Sequence, residues 1–240
     1  MRSNLGNLVS SLKRLTREIG WFDAFLYSIR RLLGFLSPGI KLYHYQFVAQ
    51  PISDKQIFPA RGSAFTIRRI DKMEYQAEWF PRPIAVIHQR YLQGAHCIVA
   101  FHGENAIGCL WYIIGPYLED EVRSQFITQP ESSTAWDFDV YIHPKYRLGR
   151  TFLYLWSAAW KQLEEKGIRW TMSRIDRFNP GSLRSHEKLG ARKIGSAIYI
   201  VFLDKQLTLS NIPPYMHFSR NKGSIPRLHM KSPKETGENP

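Results

Sequence analysis

Residues 135–151 read A-W-D-F-D-V-Y-I-H-P-K-Y-R-L-G-R-T. Residues 135–142 alternate strictly. Trp136, Phe138, Val140 and Ile142 share one face, and Asp137, Asp139 and Tyr141 share the other, which is the period of a strand. The segment His143–Thr151 then turns, and a helical pattern runs to about Lys166, with Gly167 as its C-terminal stop. A strand that passes through a basic, glycine-bearing turn into a helix is half of a strand–helix–strand unit. I-R-W-T-M-S-R-I, residues 168–175, supplies the second strand.

Working outward, F-T-I-R-R-I (65–70) reads as a short strand, and 71–92 as a weaker helical stretch interrupted by Pro81 and Pro83. H-C-I-V-A-F-H (96–102) and A-I-G-C-L-W-Y-I-I-G (106–115) read as a hairpin about Gly103-Glu104-Asn105. Downstream, a helix opens at Pro180 and ends at Gly190, and I-Y-I-V-F-L (198–203) is the last strand. The order of strands and helices predicts a mixed α/β sheet covered by helices. Residues 1–48 are expected to form amphipathic N-terminal helices, 49–209 the domain proper, and 210–240 a basic, disordered tail; residues 37–62 read as a linker or irregular cover.

The chain has 240 residues, 44% of them apolar, enough for one sizeable core with extensions. Its formal charge is +13. Seven basic and two acidic residues lie in 1–48, and six basic and three acidic in 204–240. Basic ends suit a polyanionic partner such as tRNA, an acyl carrier protein or an anionic membrane surface. Leu5, Leu8, Leu12, Leu15 and Ile19 mark one helical face, and Phe22, Phe25, Leu26, Ile29, Leu32, Leu33 and Leu36 another. Two readings stay open: a basic pair lying on a membrane, or a pair packing on its own domain or a partner subunit, which would make the chain an oligomer. Cys97 and Cys109 fall in apolar strands with no C-x-x-C or Cys/His cluster, so no metal is expected and a reducing, cytoplasmic location fits, peripheral to a membrane in the first reading. No stretch of about 20 apolar residues predicts a transmembrane segment.

The turn Tyr146-Arg147-Leu148-Gly149-Arg150-Thr151 carries the chemistry. A helix N-terminus offers free N–H groups and partial positive charge. Gly149 permits close backbone approach, and Arg147 and Arg150 are phosphate donors. Downstream, N-P-G-S-L-R-S-H-E-K-L-G (179–190) places Asn179, Ser182 and His186 on or before one helix. Together the two blocks resemble the GNAT acyltransferase superfamily, in which a turn R/Q-x-x-G-x-G/A precedes the main helix and N-x-x-A/S-x-x-x-Y-x-K-x-G follows. Here Tyr146 stands where Arg or Gln is usual, Thr151 where a small residue is usual, and His186 where Tyr is common.

The resemblance implies an acyl-CoA N-acyltransferase fold. It further implies acetyl-CoA or another acyl-CoA as co-substrate, held by Val140, Ile142, Arg147, Leu148, Gly149, Arg150, Thr151, Asn179, Ser182 and His186. The acceptor would be an amine on a small molecule or protein. His186 would protonate the leaving thiolate, and Asp139 or Asp137 would take the proton of the amine. Glu119, Asp120 and Glu121 are alternative amine contacts. Aminoacyl-tRNA or carrier-protein donors, and a non-catalytic interaction module, remain as competing readings.

Overall fold

A computed structural model describes residues 16–37, 39–55 and 57–233. In chain order the elements are α1 (Trp21–Leu36), β1 (Ile40–Pro51), β2 (Phe65–Ile70), α2 (Ile84–Leu92), β3 (His96–His102), β4 (Asn105–Ile113), β5 (Tyr117–Leu118) and β6 (Gln125–Gln129). There follow β7 (Thr134–Ile142), α3 (Thr151–Glu164), β8 (Trp170–Asp176), α4 (Pro180–Lys188), β9 (Arg192–Phe202), β10 (Lys205–Ser210), β11 (Met216–Ser219) and β12 (Arg227–Lys231). The chain is mixed α/β and forms two compact units, each drawn from several chain segments.

One unit comprises residues up to Val48, Glu121–Gln125 and Arg174–His229. Its strands lie in the order β11, β10, β9, β1. The β9–β10 hairpin pairs Phe202 with Lys205 through Ala197 with Ser210. Tyr45, Phe47 and Tyr199 are its fully buried rings. The helix α4 is capped by Asn179, whose Oδ1 accepts from the Ser182 N–H at 3.1 Å, with Pro180 at the first helical position.

The other unit comprises Ala49–Asp120, Phe126–Ser173 and the residues from Met230 on. Its strands run β8, β7, β4, β3, β2. All pairs are antiparallel except β7–β8, which is parallel and joined by α3. The predicted hairpin of β3 and β4 is present. Helix α3 packs on β3 and β4, burying Leu155, Trp156, Ala159, Trp160 and Leu163; it ends at Glu164, and Gly167, with φ 76°, closes the turn after it as the left-handed stop the sequence predicts. Gly108 sets how closely α3 can approach: a Cβ there would lie 2.9 Å from the Tyr141 carbonyl and 3.3–3.4 Å from Leu155 and Thr151.

Three expectations change. Residues 40–51 are not linker but β1, buried from His44 to Gln50, and it crosses the expected boundary at residue 48. Its polar His44, Gln46 and Gln50 hide the strand pattern yet lie buried. The helix expected over 71–92 is confined to α2, after both prolines. The C-terminal segment expected to be disordered contains β11 and β12, with Leu228 and Met230 buried. The helix expected over 5–19 lies mostly outside the described residues; Thr16–Ile19 are helical, and Gly20 follows with φ 85°.

Candidate functional site

Strand β7 carries a bulge. Trp111 faces Phe138 and Cys109 faces Tyr141, so Asp139 and Val140 together oppose Leu110. Asp139, inside the bulge, adopts φ 49°, the left-handed region that Asp tolerates better than most residues. The parallel ladder with β8 runs only from Thr134–Trp170 to Trp136–Met172. The segment Asp137–Ile142, including the half-buried Val140 and Ile142, therefore lies beyond that ladder.

The bulge separates the two aspartates that alternation places on one face. Asp137 lies opposite Tyr112, whose hydroxyl donates to Gln162 of α3. It is 1% exposed. Burial pushes its carboxyl up to about 7, against the weaker downward pull of the Thr171 and Ser173 hydroxyls beside it. Asp139 is instead gripped by two guanidinium groups. Arg82 donates from Nε at 2.8 Å and from Nη2 at 2.5 Å, and Arg90 donates from Nη1 at 2.6 Å. Burial raises the Asp139 carboxyl, but the two arginines outweigh it and hold it below the usual carboxylate range. Arg90 also grips Asp120 at 2.6 and 2.9 Å and lies over the rings of Trp111 and Phe138. Burial favours its neutral form, yet Asp139 and Asp120 together push its pKa above the ordinary value. Asp139 is thus a structural anion, and the expected role of general base does not suit its surroundings.

The turn after β7 is held from within. Residues 144–146 form a 3₁₀ turn capped by His143, whose ring accepts from the Lys145 N–H. Tyr146 turns inward, its ring against those of Phe65, His102 and His143. That explains an aromatic residue where the motif favours Arg or Gln: it anchors the loop. Gly149 is not left-handed, and a Cβ there would meet only the Tyr146 carbonyl at an ordinary 3.4 Å, so the fold itself does not demand glycine. Thr151 is buried under Gly108, which turns its side chain into the core rather than to the loop surface. Leu148 is fully exposed. Lys145, Arg147 and Arg150 are exposed. Arg147 donates Nε to the Ile142 carbonyl at 3.1 Å, and among the described residues no carboxylate pairs with any of these three cations. By contrast Arg30, Arg68, Arg82, Arg90, Arg174 and Arg177 are all ion-paired.

In the other unit, the Asn179 side chain is engaged as the α4 cap and Ser182 supplies the capped N–H. His186 is 4% exposed, and burial pushes its pKa down to about 4. It is neutral at pH 7, which does not suit an imidazolium acid for a thiolate. Glu121, named from the sequence as an alternative amine contact, belongs to a cluster the sequence did not reveal: it accepts from Tyr45 at 3.0 Å and from Arg174 at 2.8 Å, and Arg174 lies 4.3 Å over the Tyr45 ring. The signal, an arginine in a strand and one glutamate of an acidic run, is not separable by spacing. Among the described residues no group of His, Cys, Asp and Glu could hold a metal, and no helix is long and apolar enough to cross a membrane.

No family model and no curated protein matches the sequence. Among solved structures, the chain is similar to a conserved protein of unknown function from Staphylococcus epidermidis, at 9% identity and TM-score 0.44 over 72% of this chain and 66% of that one. It is also similar to a GCN5-related glucosamine N-acetyltransferase region of a fungal multi-domain β-N-acetylglucosaminidase, at 17% identity and TM-score 0.47 over 72% of this chain and 23% of that one. A third is yncA, a putative acetyltransferase of Salmonella typhimurium with acetyl-CoA, at 20% identity and TM-score 0.37 over 53% and 79% of the two chains. The chain spans 66% and 57% of the lengths of two of the structures it resembles.

Proposed function

We propose that this protein binds an acyl-CoA through the turn Arg147–Thr151 and transfers the acyl group to an amine. The observation that carries this reading is the unpaired basic turn itself. Lys145, Arg147 and Arg150 stand exposed without a carboxylate on the loop that leads into the N-terminus of a fourteen-residue helix, which has no acidic residue in its first turn. Such an arrangement favours a diphosphate. Gly149, which the fold does not need, leaves the backbone open to close approach. Segment Asp137–Ile142, beyond the parallel ladder, offers strand backbone to an amide-bearing arm and to a developing oxyanion.

The bound acyl-CoA supplies a thioester. The protein's part is to hold and orient it: the amine nitrogen bonds to the thioester carbonyl as the C–S bond breaks, and water takes the amine proton and returns one to the departing thiolate, because the lowered pKa values of Asp139 and His186 make both poor bases and Asp137 is buried. Calorimetry with CoA and acetyl-CoA tests the reading. Arg147→Ala and Arg150→Ala should each weaken binding roughly tenfold or more, since a charge-assisted hydrogen bond contributes about 1.5–3 kcal/mol. Binding should also weaken with salt. Absence of binding at millimolar CoA would sink the proposal.

A further inference from the structure

Helix α1 buries its one acidic residue, Asp23, beside Ala24 and Leu26. Asp23, 2% exposed, accepts from Arg177 Nε at 2.8 Å and lies 2.6 Å from His44 Nδ1. One and two turns on, Tyr27 packs edge-on against Phe178 and Arg30 donates to Asp176 at 2.9 Å. The outward side carries Trp21, Phe25, Leu32 and Phe35, exposed by 75%, 58%, 58% and 89%. Their spacing is one helical stripe, with Ser28 and Ile29 in the gap. A helix on a water-facing surface normally does the reverse. A contiguous apolar stripe of this kind marks a surface that meets something apolar.

The charges around it say what. The stripe holds no carboxylate, since the one acid of α1, Asp23, is turned inward. Arg31 is exposed at its edge and Arg17 is exposed just upstream. The preceding sequence adds Arg2, Lys13 and Arg14 against Glu18 alone. Large aromatic and leucine side chains beside unbalanced cations are the composition of a helix lying in the interface of an anionic bilayer. We propose that α1 docks on an anionic lipid surface through Trp21, Phe25, Leu32 and Phe35, with Arg17 and Arg31 meeting the headgroups.

Flotation of the full chain with vesicles of phosphatidylcholine containing 30% phosphatidylglycerol, beside pure phosphatidylcholine, tests this. Binding should be at least tenfold stronger to the anionic vesicles, fall on raising salt from 0.1 to 0.5 M, and be lost in Phe25→Ser/Phe35→Ser. Both rings are outward, so that variant should keep the wild-type circular dichroism and CoA affinity, which separates this proposal from the one about the turn. Absence of flotation, or equal flotation of the variant, overturns it. A concentration-dependent dimer abolished by the same substitutions would assign the stripe to a second copy. Slow maleimide labelling of a monomeric Phe35→Cys variant without vesicles would show the chain already covers it. Either result overturns the lipid reading.

Discussion

Asp137 and Asp139 are separated by one residue and hold opposite protonation preferences. Because the Asp137 carboxyl is raised to about 7 from its ordinary value of 3.8, the folded state holds a proton that the unfolded state releases. The contribution of Asp137 to stability is therefore fully present below about pH 4, falls between about pH 4 and 7, and is absent above that. At about 1.36 kcal/mol per pKa unit the loss is on the order of 4 kcal/mol. Asp137→Asn should remove most of this slope, which urea titrations at pH 5 and pH 8 would reveal; an unchanged slope refutes it. Asp139 behaves in the opposite sense: its depressed carboxyl stabilises the fold above about pH 4 and loses that contribution as the pH falls further. Arg90→Met would leave Asp120 without its bidentate partner and Asp139 with Arg82 alone, and should cost about 3–5 kcal/mol in the same titration. His186→Phe tests the alternative acid directly. With the ring neutral and buried, turnover should stay within a few-fold and the alkaline limb of the rate profile should not move; a hundredfold drop with unchanged CoA affinity would restore the acid role.

At the scale of elements, two glycines make a controlled comparison. Gly108→Ala drives a Cβ to 2.9 Å from the Tyr141 carbonyl, backbone against backbone, and should cost about 1–3 kcal/mol in chemical denaturation. Gly149→Ala meets only a 3.4 Å contact, so it should leave stability within about 0.5 kcal/mol while weakening CoA binding. The β3–β4 hairpin, β7 and α3 are legible in the sequence because alternation, a turn and Gly167 all agree there. The bulge is not, since Asp139 keeps the alternating pattern in letters while the backbone breaks it. Nor is β1, whose buried residues include the polar His44, Gln46 and Gln50. Gln46, for example, is held by Arg177 and by the Gly195 carbonyl.

For the molecule as a whole, the basic ends that composition reveals turn out to be structured where they are described. Leu228 and Met230 are buried in β12, so a chain ending at residue 209 should be destabilised by several kcal/mol in thermal or chemical unfolding; unchanged unfolding would show that β12 contributes nothing. Periodicity alone locates α1 but not which side faces out, because its inward side is set by Arg177, 154 positions downstream. That separation has a consequence during synthesis. At about 5–20 residues per second, α1 leaves the ribosome on the order of ten seconds before its arginine partner exists. Through that interval Asp23 has no counter-ion from Arg177 while the four large apolar side chains are already in water. The nascent chain is then a ready client for a chaperone or a nearby bilayer, so the rate of translation through residues 40–177 becomes a quantity that expression yield should follow.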